Sequence, residues 1–151
     1  MDNNKNRIGT NSVQYIVVNI GDEQYGIDIK YVDNIVRMQK ITRVPKAQFF
    51  YKGVINLRGE IIPVMSVRSR FGLSDDEYSG ATRIIVLKPE QQEAIGIIVD
   101  AVKEVVTLEE GDIEKMYSDG KDERSKFVTA VGKNGDNLIS LLNVNGVLDF
   151  N

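Results

Sequence analysis

Neither cysteine nor histidine occurs among the 151 residues, and proline appears only three times. Without cysteine the chain can form no disulfide, offer no thiolate nucleophile and build no thiolate metal site, which fits a reducing compartment. Without histidine it lacks the side chain that most often serves as general base near neutral pH and as zinc ligand. Most hydrolase and metalloenzyme chemistries thereby lose their usual parts, leaving carboxylates and lysines. The 13 glycines include neither G-x-G-x-x-G nor G-x-x-x-x-G-K-[ST], so no phosphate cradle is marked. Long apolar runs are also missing. No stretch approaches the roughly 20 residues that cross a bilayer, and the start MDNNKNRIGTNS has no signal-peptide core. A cytosolic protein with no direct membrane insertion is expected.

What is present is ordinary for a packed domain: 42% hydrophobic and 27% charged residues. The length allows one compact unit or two small lobes sharing a core. Net charge is −3, but residues 1–70 hold 11 basic and 6 acidic side chains, whereas residues 71–124 hold 6 basic and 14 acidic. One basic and one acidic lobe would suit head-to-tail or two-partner docking; uneven solvated surface is the plainer reading.

Residues 1–12 are polar, rich in asparagine and without periodicity, so a flexible N-terminal tail is expected there. From Val13, VQYIVVNI leads through Gly21-Asp22-Glu23 into QYGIDI, which reads as a hairpin. After it, Asp28 is placed to cap a short helix in which Ile29, Val32, Ile35 and Val36 recur at spacings of three and four. GVINL and EIIPVMSV then read as two strands joined at Arg58-Gly59. The second half repeats this order, with ATRIIVLKPEQQEAIGIIV as strand, turn, strand and a last hairpin turning at Asn134-Gly135. Gly26, Ile27, Val32, Ile35 and Val36 match Gly96, Ile97, Val102, Val105 and Val106 at an offset of 70, and IIPVMSV at 61–67 resembles LISLLNV at 138–144. The pattern predicts an all-β chain, mainly β with short helices, folded as two small β-barrel lobes packed together, at approximately 13–74 and 80–151, with strands open to exchange between lobes.

Carboxylates cluster at Asp75-Asp76-Glu77, at Glu109-Glu110-Gly111-Asp112 and at Asp119–Glu123, but none has the ligand spacing of a calcium loop. Solvated loops are the simpler reading, and no catalytic, metal or cofactor residue is assigned. The segment from Arg37 to Arg58 carries Lys40, Arg43, Lys46 and Lys52 with no acidic residue, and Phe49, Phe50 and Tyr51 lie inside it. Cations beside aromatics on a small barrel are what single-stranded nucleic-acid binding uses, so that function is the alternative; the acidic balance of the chain opposes it. Arg58 stands beside a turn glycine between two strands, where its guanidinium is expected to point outward as a partner contact or as an ordinary turn arginine.

GDEQYGIDI, the V-x-x-I-V stripe, TRVP, KGVINLRGEIIPV and the later GIIVDAV together resemble CheW-like chemotaxis coupling proteins, over residues 13–151. That resemblance implies two SH3-like barrels and a non-catalytic adaptor that joins chemotaxis receptors (methyl-accepting chemotaxis proteins) to the histidine kinase CheA in a cytoplasmic signalling array. The length leaves no room for a receiver or kinase domain, so a stand-alone coupling protein is expected. By the same resemblance a receptor's helical tip would lie near Val32, Ile35 and Arg58, and kinase contact would use the barrel ends. Where family members often carry glutamate, this chain has Asn34, which removes a charge. The expected partner-facing set is Val32, Asn34, Ile35, Lys52 and Arg58, with no cofactor and no nucleic acid.

Overall fold

A computed structural model describes residues 12–116 and 126–148. The expected tail, apart from Ser12, and the carboxylates at 119–123 lie outside the described residues. Among the described residues eleven strands run in the order β1 (Val13–Ile20), β2 (Glu23–Asp28), β3 (Val32–Arg37), β4 (Tyr51–Leu57), β5 (Glu60–Ser66), β6 (Arg83–Leu87), β7 (Ile95–Val99), β8 (Ala101–Leu108), β9 (Ile113–Lys115), β10 (Val128–Asn134) and β11 (Asn137–Leu142). Two single-turn helices, α1 (Val67–Arg70) and α2 (Val144–Val147), each follow the last strand of a hairpin. Ser66 caps α1 by accepting a hydrogen bond of 3.1 Å from the Ser69 amide.

Five strands form one sheet in the order β3-β6-β7-β5-β4, and six form the other in the order β8-β1-β2-β11-β10-β9. Both curl shut. In the first, Val36 from one edge and Leu57 from the other pack on a single cluster of Ile55, Ile62, Val64, Ile84, Val86 and Ile98. In the second, Val106 and Leu108 of β8 meet Ala130 of β10 around Val17, Ile139 and Leu141. A third and larger cluster, including Ile16, Val18, Tyr25, Ile27, Ile85, Leu87, Ile97 and Phe127, fills the seam between the lobes. The central lobe is β3–β7 and the terminal lobe is β1, β2 and β8–β11.

The strands therefore do not divide at residues 75–79. Each half of the chain sends its first hairpin into the other half's barrel: β1–β2 joins the terminal lobe and β6–β7 the central one. The repeat read in the sequence explains why this works. Gly26 and Gly96, the matched glycines, take the same place in the parallel pairings β2–β11 and β7–β5, opposite Leu141 and Val64. Phe50 and Phe127 are likewise matched, their carbonyls accepting bonds of 2.7 Å from the amides of Ser66 and Asn143. Between these two phenylalanines lies the Arg70 guanidinium, 4.6 Å from one ring and 5.1 Å from the other. Charge follows the lobes as well: residues 32–99 carry 10 basic and 7 acidic side chains, and the described residues of the terminal lobe, 12–31, 100–116 and 126–148, carry 5 and 10.

Two local expectations need correction. The helix after Asp28 is one 3-10 turn, Ile29–Tyr31, capped by Asp28 through the Lys30 amide, and Val32 already opens a strand. The last hairpin turns at Gly135-Asp136, one residue later than expected, because Asn134 pairs with Asn137.

Candidate docking surface

The three-residue spacing that mimics a helix comes from a β-bulge. β3 pairs with β6 as Val32↔Leu87, Asn34↔Val86, Ile35↔Ile85 and Val36↔Ile84, skipping Asp33. Directly paired residues share a face of the sheet. Leu87 and Ile85 belong to the seam between lobes, and Val86 and Ile84 to the barrel interior. Val32 and Ile35 thus share the seam face although they are three residues apart. Val32 packs on the seam cluster, while Ile35 is 38% exposed. Asn34 holds the irregular backbone, its Oδ1 accepting a bond of 2.8 Å from the Ile35 amide.

β8 repeats the device. It pairs with β1 as Val102↔Val18, Glu104↔Val17 and Val105↔Ile16, skipping Lys103, which is Asp33 shifted by 70. Val102 packs on the seam cluster and Val105 is 51% exposed. β3 and β8 are both edge strands. Each lobe therefore brings one bulged edge to the shared core and leaves one aliphatic side chain exposed beside it. Val105 is absent from the expected set, although the match at offset 70 had already paired it with Ile35.

Arg58 and Lys52 lie on the opposite edge of the central sheet. Arg58 and Gly59 form a two-residue turn with φ of 55° and 85°, both left-handed, as the twist of a hairpin favours. Asn56 Oδ1 steadies the turn through the Gly59 amide at 2.9 Å. Left-handed backbone costs a residue with a Cβ about 1–2 kcal/mol. The Arg58 side chain is exposed and makes no ion pair or hydrogen bond among the described residues. Lys52 sits near the other end of β4, at about 3.3 Å of rise per residue roughly 20 Å from Arg58. Its Nζ is 3.3 Å from Asp75 Oδ1. The expected residues therefore fall into three places: the seam strip, the turn of Arg58 and the ion pair of Lys52.

The three-ring platform imagined for nucleic acid does not form. Phe50 is 2% exposed beneath Arg70, Tyr51 is half-buried, and only Phe49 stands out, at 76%. Nor do the carboxylates converge: among the described residues no three potential ligands are grouped to hold a metal ion. Asp76 instead accepts a bond of 2.5 Å from the Ser66 hydroxyl, and Asp112 accepts one of 2.9 Å from the Glu109 amide. Among the described residues no helix is long and apolar enough to cross a membrane.

Comparison with known proteins places this geometry. The family model of the CheW-like domain matches residues 14–150. "Chemotaxis protein CheW" of Bacillus subtilis (strain 168) is 34% identical over 134 residues, covering 89% of this chain and 85% of that protein. "Chemotaxis protein CheA" of Treponema pallidum (strain Nichols) is 28% identical over 93 residues, 60% of this chain and 11% of that protein. The crystal structure of the scaffolding protein TtCheW from Thermoanaerobacter tengcongensis superposes with a TM-score of 0.83 at 34% identity, covering 92% of this chain and 94% of that one. Paired barrels of mutually exchanged hairpins, joined over a common seam, are thus shared with chemotaxis scaffolds, and the chain belongs to the CheW-like family.

Proposed function

We propose that this coupling protein acts without catalysis, joining the cytoplasmic signalling domains of chemotaxis receptors to the histidine kinase CheA in arrays at the inner face of the membrane. The observation that carries the reading is the bulged edge strip of each lobe: β3 exposes Ile35 and β8 exposes Val105, each beside the shared core. An amphipathic helix docks by laying spaced apolar side chains into such a strip. Val32 supports it from below, Asn34 fixes the bulge, and Ile35 and Val105 touch the receptor. Arg58 and Lys52 serve as polar contacts on the other edge, and the strained, unpaired Arg58 is the stronger of the two, since strain of this kind gathers at functional positions.

Separate titrations against receptor signalling domain and against CheA test the assignment, each variant first being checked for folding by circular dichroism. Ile35→Asp and Val105→Asp are expected to fold and to lose receptor affinity, while Arg58→Ala should lose about 2–4 kcal/mol toward at least one partner, roughly thirtyfold to a thousandfold. A folded Ile35→Asp with full receptor affinity would remove the strip from the interface. Unchanged affinity of Arg58→Ala for both partners would return that arginine to an ordinary turn residue.

A further inference from the structure

Between β3 and β4 the chain makes a long loop pinned at one point, where Thr42 and Val54 exchange two backbone hydrogen bonds of 2.8 Å. Beyond the pin, residues 43–49 and the start of β4 surround an open cavity of about 400 Å³, within the size range of pockets that seat ligands. Its lining includes three cations, Arg43, Lys46 and Lys52, and no acidic residue. Apolar wall is supplied by Val44 and Phe49, both exposed. The side chains of Arg43 and Lys46 make no ion pair or hydrogen bond among the described residues. Lys46 is held at φ 63°, a conformation glycine would adopt more easily. At the rim, the carboxylate of Asp75, itself largely exposed, already sits 3.3 Å from Lys52 Nζ. The chain's own side chain thus illustrates the chemistry the cations accept.

We propose that this cavity is a docking site for an acidic segment of a partner protein. An apolar side chain of that segment would rest on Phe49 and Val44, between carboxylates that meet Arg43, Lys46 and, in exchange for Asp75, Lys52. Exposed ion pairs are weak, so the exchange costs little. A single-stranded nucleic acid fits less well, because successive bases need successive rings and, of the two rings lining the cavity, Phe49 is exposed and Tyr51 half-buried. Lys52 is the one residue shared with the partner contacts proposed above, and Val32, Asn34, Ile35, Arg58 and Val105 lie outside the cavity, so substitutions at Arg43 and Lys46 test it separately.

Fluorescence anisotropy with a labelled glutamate-rich peptide carrying one phenylalanine tests it, with a lysine-rich peptide of the same length and a labelled oligothymidine as comparisons. The glutamate peptide is expected to bind saturably and to weaken as salt rises. Arg43→Glu with Lys46→Glu should weaken it about tenfold or more. Lys46→Gly, which suits the positive φ and so keeps the loop folded, should weaken it about threefold. Ile35→Asp should leave it unchanged. Absence of saturable peptide binding, equal binding by the charge-reversed variant, or tighter binding of oligothymidine than of the peptide would overturn the proposal.

Discussion

Arg58 holds a left-handed backbone, and its side chain lies in water with no ion pair or hydrogen bond among the described residues. Its removal should therefore leave the fold intact. Arg58→Ala is expected to shift unfolding free energy by no more than about 0.5 kcal/mol, and Arg58→Gly should not destabilise at all, since relief of strain offsets the flexibility glycine adds to the unfolded chain. Thermal denaturation checks both, and a loss above about 1.5 kcal/mol in the glycine variant would mean that Arg58 holds the turn. Val32 and Ile35 make the contrasting pair. Val32→Asp places a carboxylate against the seam cluster and should cost about 3 kcal/mol or more, whereas Ile35→Asp keeps its charge in water and should cost less than about 1. Equal losses in urea unfolding would show that both residues are core. The turn glycine beside Arg58 already announces the exposed guanidinium in the sequence. Lys52 is not legible in that way, because its partner Asp75 lies 23 residues away.

At the scale of elements, hairpins are legible because turn chemistry is local: Gly21, Arg58-Gly59 and Gly135 all sit at positive φ between paired strands. Bulges are not. A skipped residue puts two apolar side chains three apart on one face, so the V-x-x-I-V stripe imitates a helix, and only the partner residues Ile85 and Leu87 on β6 reveal which face is meant. Inside the KGVINLRG run, Gly53 marks a further irregularity, where β4 shifts register against β5. At φ 141° its missing side chain lets the backbone of Thr42 approach so closely that an added Cβ would overlap the Thr42 carbonyl. Gly53→Ala is expected to destabilise by about 2–4 kcal/mol, and to free the 43–49 loop before the rest of the fold. Hydrogen exchange at the Thr42 and Val54 amides would show this, and unaltered protection there would contradict it.

At the scale of the molecule, a repeated order of elements could be read along the chain, but not which lobe each hairpin joins. The exchange of β1–β2 and β6–β7 depends on the seam cluster, whose members are drawn from both halves. Three tyrosines give the chain a pH response on the alkaline side. Burial pushes the phenols of Tyr15, Tyr51 and Tyr78 above their ordinary value of 10.0; Asp28 adds to the shift at Tyr15, Asp76 and then Asp75 add to it at Tyr78, and Arg70 partly offsets it at Tyr51. Each phenol ionises more easily in the unfolded chain than in the folded one, so stability should fall as pH rises through about 10. Denaturation midpoints that rise above pH 10 would reverse that sign. The lobes also differ in charge in the sense expected, though by less than the two sequence segments, because exchanging hairpins redistributes the charged residues. Coupling is tested most directly by following CheA autophosphorylation in mixtures of receptor-bearing membranes, kinase and this protein, with each component omitted in turn. An adaptor contributes proximity alone, so output should rise only when all three are present, and the purified chain should neither accept phosphate nor hydrolyse nucleotide. Stimulation that persists without receptor, or phosphotransfer by the chain itself, would contradict the coupling role.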